Sequence, residues 1–163
     1  GSVLWLLQDH DAAAANLRRE AEARDVAPDR LIFAPRAKHD EHLARLPLAD
    51  LVLDTLPYGA HTTASDALRC GVPVLTCRGN AFAARVGASL LTALGLPELI
   101  APDLPSYAAR AEERANEPAQ MQTLRQKLAA QLTASSVFAP AQFTAGYEAA
   151  LLALARTPTA LNS

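Results

Sequence analysis

The sequence predicts an α/β fold: a Rossmann-like, doubly wound parallel sheet followed by a helical tail. Three observations carry this. Short apolar runs recur at Val3–Leu7, Leu31–Phe33, Ala49–Thr55, Val72–Cys77 and Leu99–Ile100, each of strand length and too short for a helix. Segments with helical patterning separate them, and such alternation argues for parallel strands joined by right-handed crossovers. After Asp103 the apolar runs stop, and Tyr107–Asn116, Pro118–Ser135 and Pro140–Arg156 all have a helical pattern. The expected organisation is a core at residues 1–102, helices packing on it at 103–157, and a frayed tail at 158–163.

Taken in order, Val3–Leu7 (VLWLL) has the continuous apolar character of a strand buried on both faces. It starts almost at the first residue, so the segment reads as cut from something longer. Asp11–Asp25 is Ala-rich and amphipathic, with Asp9 or Asp11 available as its cap. Pro28-Asp29 turns the chain into the Leu31–Phe33 strand. Lys38–Leu46 is helical and Pro47 ends it. Ala49–Thr55 is the third strand, and Leu56–Ala60 turns on Pro57 and Gly59. His61–Cys70 is the third helix, closed by Gly71 and Pro73. Val72–Cys77 is the fourth strand, Phe82–Leu94 the next helix with Gly95 as its stop, and Leu99–Ile100 a short last strand.

The chain has 163 residues, half of them hydrophobic and a fifth charged, which describes a globular domain. A net charge of −2 leaves no electrostatic footprint for nucleic acid. Cys70 and Cys77 fit no zinc spacing and suggest a reducing compartment. No apolar run reaches the ~18 residues of a membrane span, and no basic-then-apolar leader opens the chain. A cytoplasmic protein without membrane partners is expected. The Walker loop, the dinucleotide glycine fingerprint, the nucleophile elbow and the metalloprotease helix are all absent.

Ligands of such sheets bind at the C-terminal ends of the strands. That edge holds Pro35–His42, Leu56–Thr63 and Arg78–Ala83. The second of these is the strongest signal. Strand, turn, then a helix opening on His61-Thr62-Thr63 is an anion site in outline: the first N–H groups of a helix are unpaired, its dipole favours negative charge, and two hydroxyls add donors. Asp66 lies one turn deeper on the same side, where a carboxylate suits sugar hydroxyls rather than phosphate. The plainer alternative is that the threonines only cap the helix and Asp66 only faces water. His39, His42 and Arg45 lie near one helix face; an imidazole can stack on a base and a guanidinium can fork onto a carbonyl or phosphate. The alternative there is a solvated face. Two histidines three apart make a poor zinc site, and no metal is expected. Cys77 at a strand end fits a buried, inert thiol better than a nucleophile.

The run FAPRAKHDEHLARLPLADLVLDTLPYGAHTTASDALRCGVPVLT, Phe33–Thr76, resembles the catalytic region of the O-linked N-acetylglucosamine transferases. VLWLL before it and ARVGASLLTALGLPELIA after it extend the likeness over nearly the whole chain, which suggests a bacterial member. The motif is specific: LAD-x-x-LDT, then G-x-HTT-x-x-D-x-L-x-x-G-x-P. The resemblance implies the C-terminal, donor-binding lobe of a two-lobed GT-B enzyme. Such enzymes move N-acetylglucosamine from UDP to Ser or Thr hydroxyls with inversion, without a metal or other cofactor. It implies roles for Ala37 (main chain to uracil), His39, His42 (stacking near the base), Arg45 (fixing it), His61, Thr62 and Thr63 (diphosphate) and Asp66 (ribose). Implied partners are UDP-GlcNAc or UDP, a protein or peptide acceptor, and an N-terminal lobe and tetratricopeptide repeats of the same enzyme, toward which the last helices would pack. Two departures stand out. The family carries a lysine where this chain has His39, so a positive charge there depends on pH. The family's phosphate-contacting Gln and Lys would lie before Gly1, as would its candidate base. A UDP-N-acetylglucosamine 2-epimerase and a non-catalytic nucleotide-binding or interaction module are the competing readings.

Overall fold

The apolar runs do become strands, and every ladder is parallel. In the computed structural model, which describes residues 1–156, strands β1 (Leu4–Leu7) and β2 (Leu31–Ala34) pair along their length, from Leu4 opposite Leu31 to Leu7 opposite Ala34. Strands β3 (Val52–Leu53), β4 (Val74–Cys77) and β5 (Ile100–Ala101) form a second ladder with β4 in the middle. Val52 lies opposite Val74, and Cys77 opposite Ala101. The single four- or five-stranded sheet expected from the sequence is thus divided into a pair and a triplet among the described residues.

The crossovers are helical as expected. They are α1 (Asp11–Glu22), α2 (His39–Arg45), α3 (Thr62–Arg69) and α4 (Val86–Ala93), followed by α5 (Leu104–Asn116), α6 (Pro118–Ala134) and α7 (Pro140–Arg156). Two glycine stops work as the sequence implies. Gly71 (φ 75°) and Gly95 (φ 66°) take left-handed backbone after α3 and α4. Beyond them, Val72 N–H reaches back to Ala67 O, and Leu96 N–H to Leu91 O, both at 2.9 Å. This double-bonded helix ending requires a positive φ that glycine adopts without strain.

Four expectations need correction. Helix α1 stops at Glu22 rather than Asp25, which sits at φ 58° beyond it. Its N-cap is His10 without a side-chain bond, because Asp9 pairs with Arg36 (2.6 Å) and Asp11 accepts from Gln8. Strand β3 has two residues, not seven: Asp54 N–H still reaches Leu75 O (2.9 Å), but beyond it the Asp54 side chain takes the Thr55 and Ala60 N–H groups and the chain turns out of the ladder. The helix expected at Phe82–Leu94 breaks into a 3-10 turn, Phe82–Ala84, and α4. The carbonyls that would continue it are spent elsewhere, Ala83 O on Gly59 N–H (2.9 Å) and Ala84 O on Gly79 N–H (3.0 Å).

The core gathers around β4. Ala64, Ala67 and Leu68 of α3, Leu91 of α4, and Met121, Leu124 and Leu128 of α6 close on Val72 and Val74. Arg110 of α5 donates to Glu98 O and Ile100 O, tying the first tail helix to β5. Lys127 of α6 donates to Glu98 at 2.6 Å; burial is the largest single influence and pushes that carboxyl up, but the lysine bond, a backbone N–H and the charges of Lys127 and Arg114 together hold it below its ordinary range. Helix α7 has no buried residue. The tail expected to fray, 158–163, lies outside the described residues.

Candidate functional site

The site begins where β3 ends. The chain leaves the ladder at Asp54, turns through residues 55–60, and re-enters regular structure at α3. The N-cap of α3 is His61, in a non-helical conformation and without a side-chain cap bond. Thr62 and Thr63 are therefore the first two residues inside the helix. Both are exposed, and neither hydroxyl has a partner among the described residues. The capping alternative fails on this geometry. Ser65 N–H is the first to bond back, to His61 O at 3.1 Å, so among the described residues the N–H groups of Thr62, Thr63 and Ala64 stay open. An open cleft of about 420 Å³ lies against this tip, lined by the end of β3, Tyr58, Gly59, His61, Thr62 and Thr63.

His61 is held from two sides. Its ring stacks on Tyr58 (centroids 5.1 Å apart) and meets the edge of Phe82 (6.0 Å). Its Nε2 lies 3.2 Å from Ala83 O. A carbonyl only accepts, so Nε2 carries a proton in this contact and Nδ1 is left for other partners. The broken helix at Phe82–Ala84 thus serves the site: Ala83 O receives both Gly59 and His61.

The second group of candidates lies on α2 and the loop before it. Ala37 is half-buried, and neither its N–H nor its C=O is bonded among the described residues. His39 is exposed, at the first turn of α2, beside the exposed Lys38. Arg45 is committed inside the protein: it donates to Pro35 O (3.0 Å) and to His42 Nδ1 (3.2 Å), and its guanidinium lies over the Trp5 ring (5.4 Å). Because Arg only donates, His42 accepts at Nδ1 and carries its proton on Nε2 when neutral. Asp66 is half-buried and its carboxylate makes no hydrogen bond among the described residues. The cleft lining gathers His61, Thr62 and Thr63; Ala37, His39, His42, Arg45 and Asp66 lie outside it. Among the described residues no cluster of three or more His, Cys, Asp or Glu side chains could hold a metal.

A glycosyl transferase family 41 model matches residues 1–147. The chain belongs to that family. A Caenorhabditis elegans UDP-N-acetylglucosamine–peptide N-acetylglucosaminyltransferase is 34% identical over 142 residues, 87% of this chain and 12% of the relative. The Arabidopsis thaliana protein SEC, named as a probable enzyme of the same kind, is 38% identical over 130 residues, 79% of this chain and 13% of the relative. Among solved structures, a mutant of Thermobaculum terrenum O-GlcNAc transferase matches with a TM-score of 0.83 at 34% identity, over 91% of this chain and 29% of that one. The family 41 chain therefore spans 12–13% of the length of these two curated relatives.

Three residues of this family 41 lobe escaped the sequence reading: Asp54, Thr76 and Tyr107. Asp54 and Thr76 are buried, 6% and 2% exposed, and bonded to each other at 2.7 Å. Tyr107 of α5 donates its hydroxyl to Asp54 O at 2.8 Å. Burial pushes its phenol up to about 12, with the negative charges of Asp54 and Cys77 adding to the effect. A carboxylate inside an apolar run was the available signal for Asp54; nothing local marked the other two.

Proposed function

We propose that this chain is the donor-binding lobe of an inverting glycosyltransferase that moves N-acetylglucosamine from UDP to Ser or Thr hydroxyls of proteins. The observation that carries it is the tip of α3, with three open N–H groups and two unpartnered hydroxyls beside a cleft. In the reaction an acceptor oxygen attacks C1 of the sugar as the C1–O bond to the β-phosphate breaks. UDP leaves with the electron pair, and the acceptor proton passes to a base outside this lobe. Charge grows on the β-phosphate during bond breaking, so donors fixed at the helix tip bind the transition state more strongly than the ground state. His61 joins them through Nδ1 when its ring is protonated.

The remaining assignments follow from which groups are free. The unbonded main chain of Ala37 suits the edge of uracil, and the free Asp66 carboxylate suits ribose hydroxyls. His39 and His42 flank the base, and Arg45 acts by holding Pro35 and His42 in place. The partners proposed are UDP-GlcNAc, a protein acceptor, and the N-terminal lobe and tetratricopeptide repeats of the same enzyme, in the cytoplasm. No helix among the described residues is long and apolar enough to cross a membrane. Calorimetry on the full-length protein tests the reading: UDP binds, and ADP and GDP bind at least tenfold more weakly, a difference of about 1.4 kcal/mol. Equal affinity for the three nucleotides would overturn it.

A further inference from the structure

Asp54 and Thr76 are the buried polar side chains of the described residues, and the mechanism above uses neither. Asp54 Oδ1 accepts the Thr55 N–H at 2.8 Å and the Ala60 N–H at 2.6 Å. One oxygen therefore holds both ends of the turn at residues 55–60. Oδ2 accepts from the Thr76 hydroxyl at 2.7 Å, which fixes the carboxylate to the central strand β4. Ala60 is followed directly by His61, the cap of α3. A single side chain thus connects the best-packed strand to the turn that delivers the helix tip.

The neighbouring backbone is shaped around this carboxylate. A Cβ at Gly87 of α4 would stand 2.9 Å from Oδ2, closer than real Cβ contacts allow. A Cβ at Gly59 would stand 3.3 Å from Oδ2 and 3.1 Å from Ala83 O. Glycine lets α4 and the turn approach this closely. Among the described residues no Lys, Arg or His forms an ion pair with Asp54; its partners are two N–H groups and a hydroxyl. Both oxygens are committed to protein donors, which is the arrangement of a brace and not of an acid or base.

We propose that Asp54 is the positioning residue of the anion-binding tip. It sets where the open N–H groups and the Thr62 and Thr63 hydroxyls stand relative to the sheet, and it acts on the donor only through them. The inference rests on the reading of the cleft as the diphosphate site.

The test uses the full-length protein. Asp54→Ala removes all three acceptor contacts. Asp54→Asn keeps them: its carbonyl oxygen accepts the two N–H groups, and its amide donates to a Thr76 hydroxyl that rotates to accept. In Asp54→Ala, turnover with UDP-GlcNAc falls on the order of a hundredfold, the scale of a ~1 Å misplacement, and UDP affinity falls with it. Amide hydrogen exchange in the ligand-free protein accelerates at the bonded amides of the turn and the helix start, Thr55, Gly59, Ala60 and Ser65, but not in β4 or α6, and Asp54→Asn restores all three readouts. A residue that merely stabilised the fold would raise exchange throughout the lobe. If Asp54→Ala does not fold, Gly87→Ala pushes Oδ2 from the α4 side without removing a donor or acceptor, and the same local acceleration and weaker UDP binding are expected. Wild-type exchange in folded Asp54→Ala or Gly87→Ala overturns the proposal, as does an Asp54→Asn that loses as much as Asp54→Ala. Absence of UDP binding by the wild type would sink the nucleotide reading, while exchange in the ligand-free protein still decides the role of Asp54.

Discussion

Strands β1 and β4 invert what their sequences promise. β1 comes from an unbroken apolar run, VLWLL, yet Leu4 and Leu7 are 44% and 48% exposed. β4 carries a threonine and a cysteine, yet all four of its residues are buried. The cause is the number of layers. Among the described residues β1 pairs only with β2, whereas β4 is flanked by β3 and β5 and covered by α3, α4 and α5. An apolar strand without its covering layers stays open whatever its composition. The residues proposed for the donor site divide along the same line. The helix tip hangs from the packed half through Asp54, while the loop proposed for the base belongs to the open half and is held by Arg45.

The largest effect that can break this comparison is a paired truncation. Leu75→Ala empties a fully buried position of β4 and should cost about 2–5 kcal/mol. Leu4→Ala, on the half-exposed β1, should cost about 1 kcal/mol or less, since only part of its surface leaves water on folding. Urea unfolding of both variants measures the difference. Equal losses would show that β1 is as well packed as β4.

Next in size is the helix tip. Thr62→Val with Thr63→Val keeps the shape and removes two hydroxyls. Neither bonds to another described residue, so stability should change little. Turnover should fall by roughly two powers of ten, about 2–3 kcal/mol of barrier, by comparison with deleting a fixed donor to a developing anion. The loss should fall on kcat at least as much as on KM. Steady-state kinetics on the full-length protein with UDP-GlcNAc decides it; wild-type turnover would mean that the open donors of the tip are not used.

These two regions also explain what the sequence could and could not disclose. The Thr62-Thr63 tip was legible because its parts are contiguous: a short apolar run, Pro57 and Gly59, then hydroxyls at a helix start. The two glycine stops were legible for the same reason. The brace was not, because Asp54, Thr76, Gly87 and Tyr107 meet only after β3, β4, α4 and α5 have packed. The length of β3 and the break after Ala84 were misjudged because side-chain and loop partners consume the backbone groups that a longer element would need. The exposure of β1 depends on what does not cover it, and local pattern holds no record of that.

The smallest effect probes the packed half through Tyr107. Its hydroxyl bonds Asp54 O, so Tyr107→Phe should cost about 0.5–1.5 kcal/mol at neutral pH. The sign of the pH dependence follows from the raised folded value, about 12 against an ordinary 10.0. Below pH 10 the phenol is neutral in the folded and unfolded chains, and its contribution is fully present. Between pH 10 and about 12 the unfolded chain ionises first, so the wild type loses this contribution as pH rises. The phenylalanine variant has no such proton to lose. The stability gap between the two should therefore be constant up to pH 10 and shrink above it, by less than the full shift implies because the ring is only half-buried. Urea midpoints measured from pH 7 to pH 11 follow the gap. A gap that widens with alkalinity would mean that the ionised phenol is favoured in the folded state, and that the Tyr107 hydroxyl does not donate to Asp54 O as described.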